Sequence, residues 1–183
     1  MDRLSTLLAQ FGMHATTFYA GLFSGELAYD SQDRSGRLYL LNTGKARLHI
    51  ARQEIVISQP SLLFIPRPYK HSLTAIPTDN TQLVSATVSF DGGQDNPLTT
   101  ALPDYMLVPV SELPILGDSV LWLFSEAAEQ NCGRNAVLNR LLELVMIQLL
   151  RHIMANSSLS SGMMAGLADW RLARAVTLMH DQP

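Results

Sequence analysis

The sequence predicts a mainly β protein of the α+β class, an antiparallel β-barrel or sandwich followed by a C-terminal helical pair. Three observations predict it. From about residue 18 to 110 the chain is a series of short β-rich runs set off by turn residues, roughly eight to twelve positions apart, with no helical stretch between them. From Leu116 the apolar spacing changes from two to about 3.6. At 183 residues, 47% apolar and 16% charged, the chain is long and apolar enough to bury one good core.

The strands follow in order. Candidates are Phe18–Ala28, Arg37–Leu41, Lys45–Ile50, Glu54–Ser58, Ser61–Ile65, His71–Ile76, Thr81–Phe90 and Tyr105–Val110. Asn42-Thr43-Gly44 and Ala51-Arg52-Gln53 make tight connections. Arg67-Pro68-Tyr69-Lys70 and the segment from Pro77 to Asn80 serve as the next two turns. Within the runs, Arg37, Tyr39 and Leu41 share one face and Leu38 and Leu40 the other. Lys45, Arg47 and His49 alternate with Ala46, Leu48 and Ile50, which puts the charged set, His49 included, in solvent.

The helices come next. Val120, Leu123, Phe124 and Ala127 fall on one helical face, and Asn131-Cys132-Gly133 reads as its C-terminal stop. A second helix is predicted from Arg134 to Ala155, with Leu138, Leu141, Leu142, Val145, Leu149 and Ile153 as its main stripe. Leu144, Met146, Ile147 and Leu150 widen that stripe beyond one contact face. They are either further core or a surface for a second copy, with Arg151 at its rim. A polar stretch from Asn156 to Gly162 has linker composition. After it, Ala168, Leu172, Ala175, Val176 and Met179 form a third apolar stripe, with Asp169 a candidate N-cap. The organisation expected is therefore 1–115 barrel, 116–156 helical segment, and 157–183 linker and first helix of a following domain.

Charge and cysteine usage exclude several functions. Lys plus Arg number 13 against 16 acids, a formal net charge of −3 with no basic stripe, so these residues are not expected to grip nucleic acid by themselves. The single cysteine, Cys132, allows no intrachain disulfide or cysteine metal cage. It stands beside Arg134, where a thiolate would be favoured, but no resolving partner accompanies it. Neither the N-terminal stretch nor the ten-residue run LLELVMIQLL has the form of a signal peptide or membrane span, so a soluble, cytoplasmic protein is expected. No Gly-x-Ser-x-Gly elbow or phosphate-cradling glycine loop occurs.

Three stretches carry a family likeness: Gly36–Ile50 leading into PSLLFIPRPYKHSL, then SFDGGQDNPLTTALPDYMLVPV, then LADWRLARAVTLMHDQP. Together they resemble the N-terminal cupin half of AraC-type transcription regulators. The resemblance implies a cupin-like barrel, a sensing and dimerisation role without catalysis, and a chain ending before the helix-turn-helix region. DNA would then be met only through that missing part, and the partners implied are a small-molecule effector and a second copy through the long helix. Leu144, Ile147 and Arg151 are the dimerisation candidates.

Cupins include metal enzymes, so that reading is weighed alongside a stand-alone small-molecule-binding protein. A cupin metal site needs two histidines one residue apart, a carboxylate and a later histidine, because the cation must replace most of its hydration shell. Here only the later histidine is present, His71 after the proline turn. Tyr39 and Leu41 stand where the pair would be, and Glu54, the nearest acid, reads as part of a turn. No metal or other cofactor is expected. His71 is either a backbone-bonded histidine at the barrel rim or a polar anchor aimed inside with Tyr39. Arg37, of the same parity, is either solvated or a partner for an anionic ligand.

Overall fold

The structure, a computed structural model, describes residues 4–5, 8–9, 12–30, 34–77, 80–91, 93 and 96–156. The third apolar stripe and its linker lie outside these residues. Among the described residues nine strands are found: β1 His14–Phe23, β2 Glu26–Tyr29, β3 Gly36–Thr43, β4 Ala46–Ile50, β5 Gln53–Ile57, β6 Ser61–Ile65, β7 His71–Ala75, β8 Thr81–Ser89 and β9 Met106–Pro109. Accompanying them are α1 Pro97–Ala101, α2 Gly117–Ala128 and α3 Arg134–Ala155.

All pairings are antiparallel. They form a five-stranded sheet in the order β1-β8-β3-β6-β9 and a four-stranded sheet in the order β2-β7-β4-β5. The barrel expected from the sequence is not closed: the strands form two separate hydrogen-bonded sheets that face one another across a shared interior. The run expected as one strand from Phe18 to Ala28 is two strands in different sheets. Ser24 and Gly25 break it, with Gly25 at φ +80, a conformation glycine adopts without steric cost.

Alternation builds two cores from one sheet. Leu38, Leu40, Leu62, Phe64, Val84, Ala86 and Val88 face the helices. Tyr39, Leu41, Leu63, Ile65 and Leu83 face the four-stranded sheet, where they meet Ala46, Leu48, Ile50, Ile57 and Leu73. The central sheet is therefore buried on both sides, which is why β6 reads as a continuous apolar run. Each fully buried leucine contributes about 2 kcal/mol to that packing.

Strand β1 serves both cores because of a β-bulge between Thr17 and Tyr19. Before it, Ala15 and Thr17 pair with Val88 and Ala86 on the helix side. After it, Tyr19 pairs with Ser85 on the inter-sheet side, and Ala20 turns to the helices. Asn139 of α3 pins the bulge, its Oδ1 accepting from Thr17 N and Thr17 Oγ1 at 2.8 Å each.

Helix α2 buries Val120, Leu123 and Ala127, and α3 buries Leu138, Leu141, Leu142, Val145, Leu149 and Ile153, as the spacing predicts. Met146 and Leu150 are fully buried in the same core, so half of the surplus apolar width is core. Gly133 does not stop α2, which ends five residues earlier. It sits at the N-cap of α3 with φ +80, and Arg134 donates to the carbonyls of Glu126 and Ala127 at the end of α2. The β4–β5 turn is the two residues Ala51 and Arg52, both left-handed (φ 51 and 63), so Gln53 and Glu54 belong to β5 rather than to a turn. At Gly44 (φ +78) a Cβ would lie 2.4 Å from Thr81 Oγ1, which fixes the β3–β4 turn against β8.

Candidate functional site

The candidate site forms where the proline turn delivers β7 into the interior between the sheets. Pro66 and Pro68 lack N–H groups and hold the turn extended. At its start β3 approaches so closely that a Cβ on Gly36 would lie 2.8 Å from the Ile65 carbonyl oxygen. At its far side Arg67 donates to the carbonyls of Thr99 and Leu102 at 2.6 and 2.8 Å and pairs with Asp104 at 2.6 Å. Those carbonyls belong to the end of α1, whose start is capped by Asn96 accepting from Leu98 N at 2.8 Å. The Asn-Pro-Leu of the sequence is thus a helix cap, and the helix it starts is the anchor for Arg67.

His71, the first residue of β7, is buried. Its Nδ1 donates to the Tyr69 carbonyl at 2.6 Å, which leaves Nε2 to accept from the Tyr39 hydroxyl at 2.7 Å. Burial pushes its pKa below the ordinary histidine value. The Tyr69 carbonyl opposes that shift and the positive charge of Arg37 adds to it. A neutral imidazole suits both hydrogen bonds. The Tyr39 ring meets His71 edge-on at 5.5 Å, and Tyr29 from β2 lies 5.2 Å away on a tilted ring.

Arg37 completes the cluster. Its guanidinium carbon stands 4.3 Å from the Tyr29 ring centre and 5.1 Å from that of Phe18, the residue extruded at the bulge. A guanidinium over an aromatic face is held there by the negative charge of the ring face. Beside the cluster a groove of about 750 Å³ opens, lined by Tyr29, Asp30, Ile50, Arg52, Lys70 and His71 among others.

Arg37, Tyr39 and His71, chosen on strand parity and the proline turn, are therefore brought together in space. His71 is not at a solvent-exposed rim, yet it is bonded to backbone as well as to Tyr39, so both of its sequence readings are partly realised. His49 is exposed on the outer face, 3.5 Å from Glu54, which also pairs with Arg47 at 3.0 Å. Among the described residues no group of three or more His, Cys, Asp or Glu is placed to hold a metal ion. Cys132 is exposed. Leu144 (38% exposed), half-buried Ile147 and exposed Arg151 lie on α3, on the other side of the central sheet from the cluster. Sequence reasoning missed Phe18, Tyr29 and Arg67. Splitting the first run at Ser24-Gly25 would have given Tyr29 the inward parity of Leu27.

Comparison with known proteins decides the family. A family profile described as cupin matches residues 2–155. The chain belongs to the cupin family. This cupin is of the kind that AraC-type regulators carry, as the sequence resemblance implied. A curated relative, an uncharacterized HTH-type transcriptional regulator of Haemophilus influenzae, is 24% identical over 187 residues, covering 88% of this chain and 62% of its own length. The chain thus spans less than two thirds of that relative. Among solved structures, ToxT from Vibrio cholerae O395 bound to (E)-4-(8-methylnaphthalen-1-yl)but-3-enoic acid aligns at a TM-score of 0.44 and 12% identity, over 94% of this chain and 66% of that one. Unsaturated fatty acid bound wild-type ToxT from Vibrio cholerae strain SCE256 aligns at 0.37 and 13%, over 94% and 63%. Among the described residues no helix is long and apolar enough to cross a membrane.

Proposed function

We propose that this cupin is the effector-sensing and dimerisation domain of a cytoplasmic AraC-type transcription regulator, non-catalytic, with DNA contacted through a region outside these 183 residues. The observation that carries the sensing role is the buried Tyr39–His71 hydrogen bond with Arg37 held over Tyr29 beside an open groove. A pocket with mostly apolar walls and a few oriented polar groups is the usual form of a small-molecule site. Arg37 suits a negatively charged or electron-rich group on the effector, and Tyr39 and His71 suit its orientation. Binding there would shift the balance between placements of the DNA-binding region rather than drive a chemical step.

The test is a thermal-shift screen of small metabolites followed by calorimetry. A compound that raises the wild-type midpoint should lose its effect in Arg37→Gln, Tyr39→Phe and His71→Ala. Equal affinity in all three variants removes these residues from the site. Metal analysis of the purified chain checks the non-catalytic part, since a stoichiometric transition metal lost in His71→Ala overturns it.

The dimerisation role rests on α3. Leu144, Ile147 and Arg151 lie along one side of the helix, and Leu144 stays exposed although its neighbours Val145 and Met146 are fully buried. A two-fold pair of such helices suits a regulator of palindromic DNA. A wild-type chain that sediments as a monomer at micromolar concentration would sink the idea.

A further inference from the structure

One polar group between the sheets takes no part in the cluster around His71. Ser85 on β8 has none of its surface exposed, and its Oγ has no hydrogen-bond partner among the described residues. Its register explains why. Ser85 is paired with Tyr19 on β1 and with Tyr39 on β3. Both neighbours carry hydroxyls, but Tyr39 donates to His71 and Tyr19 to the carbonyl of Leu22. The other buried hydroxyls on that face of the sheet, Ser61 and Thr81, donate to the carbonyls of Gln59 and Lys45 and so have partners of their own.

A buried hydroxyl without a partner costs about 1–3 kcal/mol, and native proteins keep few of them. Alanine would avoid the cost, as Ala86 shows at the next position on the other face. We propose that Ser85 is the innermost hydrogen-bonding contact of the effector site, taking a hydroxyl or carbonyl group at the buried end of a small, otherwise apolar molecule. The proposal rests on the effector-site reading above and extends it one side chain deeper. Ser85 and Tyr39 are directly opposed on neighbouring strands, a separation of about 5 Å between Cβ atoms. His71 lines the groove, Tyr39 bonds to it, and Ser85 lies opposite Tyr39, so an effector would reach Ser85 only by displacing the buried Tyr39 side chain. Half-buried Tyr19, on the edge strand of the sheet, stands on the other side of Ser85.

The experiment uses benzyl alcohol and ethylbenzene, which share a shape and differ by hydroxyl against methyl. Both are titrated at millimolar concentration into the whole chain by NMR, with Ser85→Ala and His71→Ala alongside. Ser85→Ala should reduce the preference for the alcohol about fivefold, the worth of one net hydrogen bond. Its folding constant without probe should match or exceed that of wild type, because an unpaired hydroxyl has been removed. Unchanged discrimination, no binding of either probe to wild type, or a tenfold fall in the folding constant each overturns the proposal. The last would mean that the hydroxyl serves the fold through a bound water. Failure of the wider effector-site reading looks different: the Ser85 dependence persists while His71→Ala leaves both probes unaffected.

Discussion

The two faces of the five-stranded sheet are made by alternate residues of the same strands, and they serve different ends. Toward the helices the strands present Leu38, Leu40, Leu62, Phe64, Val84 and Ala86, an apolar surface with the Thr17–Asn139 hydrogen bonds at its edge. Toward the four-stranded sheet the intervening positions include Arg37, Tyr39 and Ser85, with His71 across the gap. The first face needs only volume and shape. The second holds polar groups that must each find a partner once removed from water. A strand can thus act as scaffold on one side and as recognition surface on the other, provided its period of two is kept.

The sharpest way to break this comparison is to damage one face and look for harm on the other. Leu40→Ala should lower folding stability by about 2–5 kcal/mol in urea titration, as large core truncations do. The His71 NMR signals of the molecules that remain folded should not move. If they do, the faces are not independent.

Tyr39→Phe attacks the other side. It should cost about 1 kcal/mol, since it leaves His71 Nε2 without its donor, and it should shift the His71 ring signals. A variant with wild-type stability and an unshifted His71 would remove Tyr39 from the polar face.

Acid separates the faces more gently. His71 holds its proton less tightly when folded than when unfolded, so the unfolded chain binds more protons and stability rises with pH. The contribution is whole above about pH 6.5, the ordinary histidine value, and is lost as pH falls from there toward the lowered folded value. Wild type should therefore weaken over this range more steeply than His71→Gln. Parallel curves would contradict the burial of a neutral imidazole.

The smallest effect on stability is expected beyond both faces. Leu144→Glu should change folding by no more than about 0.5 kcal/mol, as an exposed site does. It should nevertheless turn a sedimenting dimer into a monomer. Loss of stability without loss of association would return Leu144 to the core.

Much of this was legible in the chain because it is a matter of parity. Arg37, Tyr39 and Leu41 against Leu38 and Leu40 is a local pattern, and the structure keeps it. The proline turn before His71 and the limits of the long helix were equally local. What could not be read was anything set by partners distant in sequence. Ser85 lies in a run, LVSATV, that reads as ordinary strand, and only pairing with Tyr19 and Tyr39 makes its hydroxyl an anomaly. Arg67 reads as a turn arginine until α1 is placed beneath it. The extra residue in β1 is invisible as well, since an alternation interrupted by Phe18 and Tyr19 looks like any aromatic strand.

That extra residue has a consequence of its own. Deleting Phe18 would let β1 and β8 zip without a skip, with Tyr19 still opposite Ser85 and the side chains from Tyr19 to Phe23 on their present faces. Taking Phe18 into the ladder opposite Ser85 would instead rotate every side chain from Tyr19 to Phe23 by half a turn. The Tyr19 phenol and the Phe23 ring would be driven among the helices, and Phe18, Ala20 and Leu22 would face the gap between the layers. One skipped residue thus decides which compartment the second half of that strand supplies.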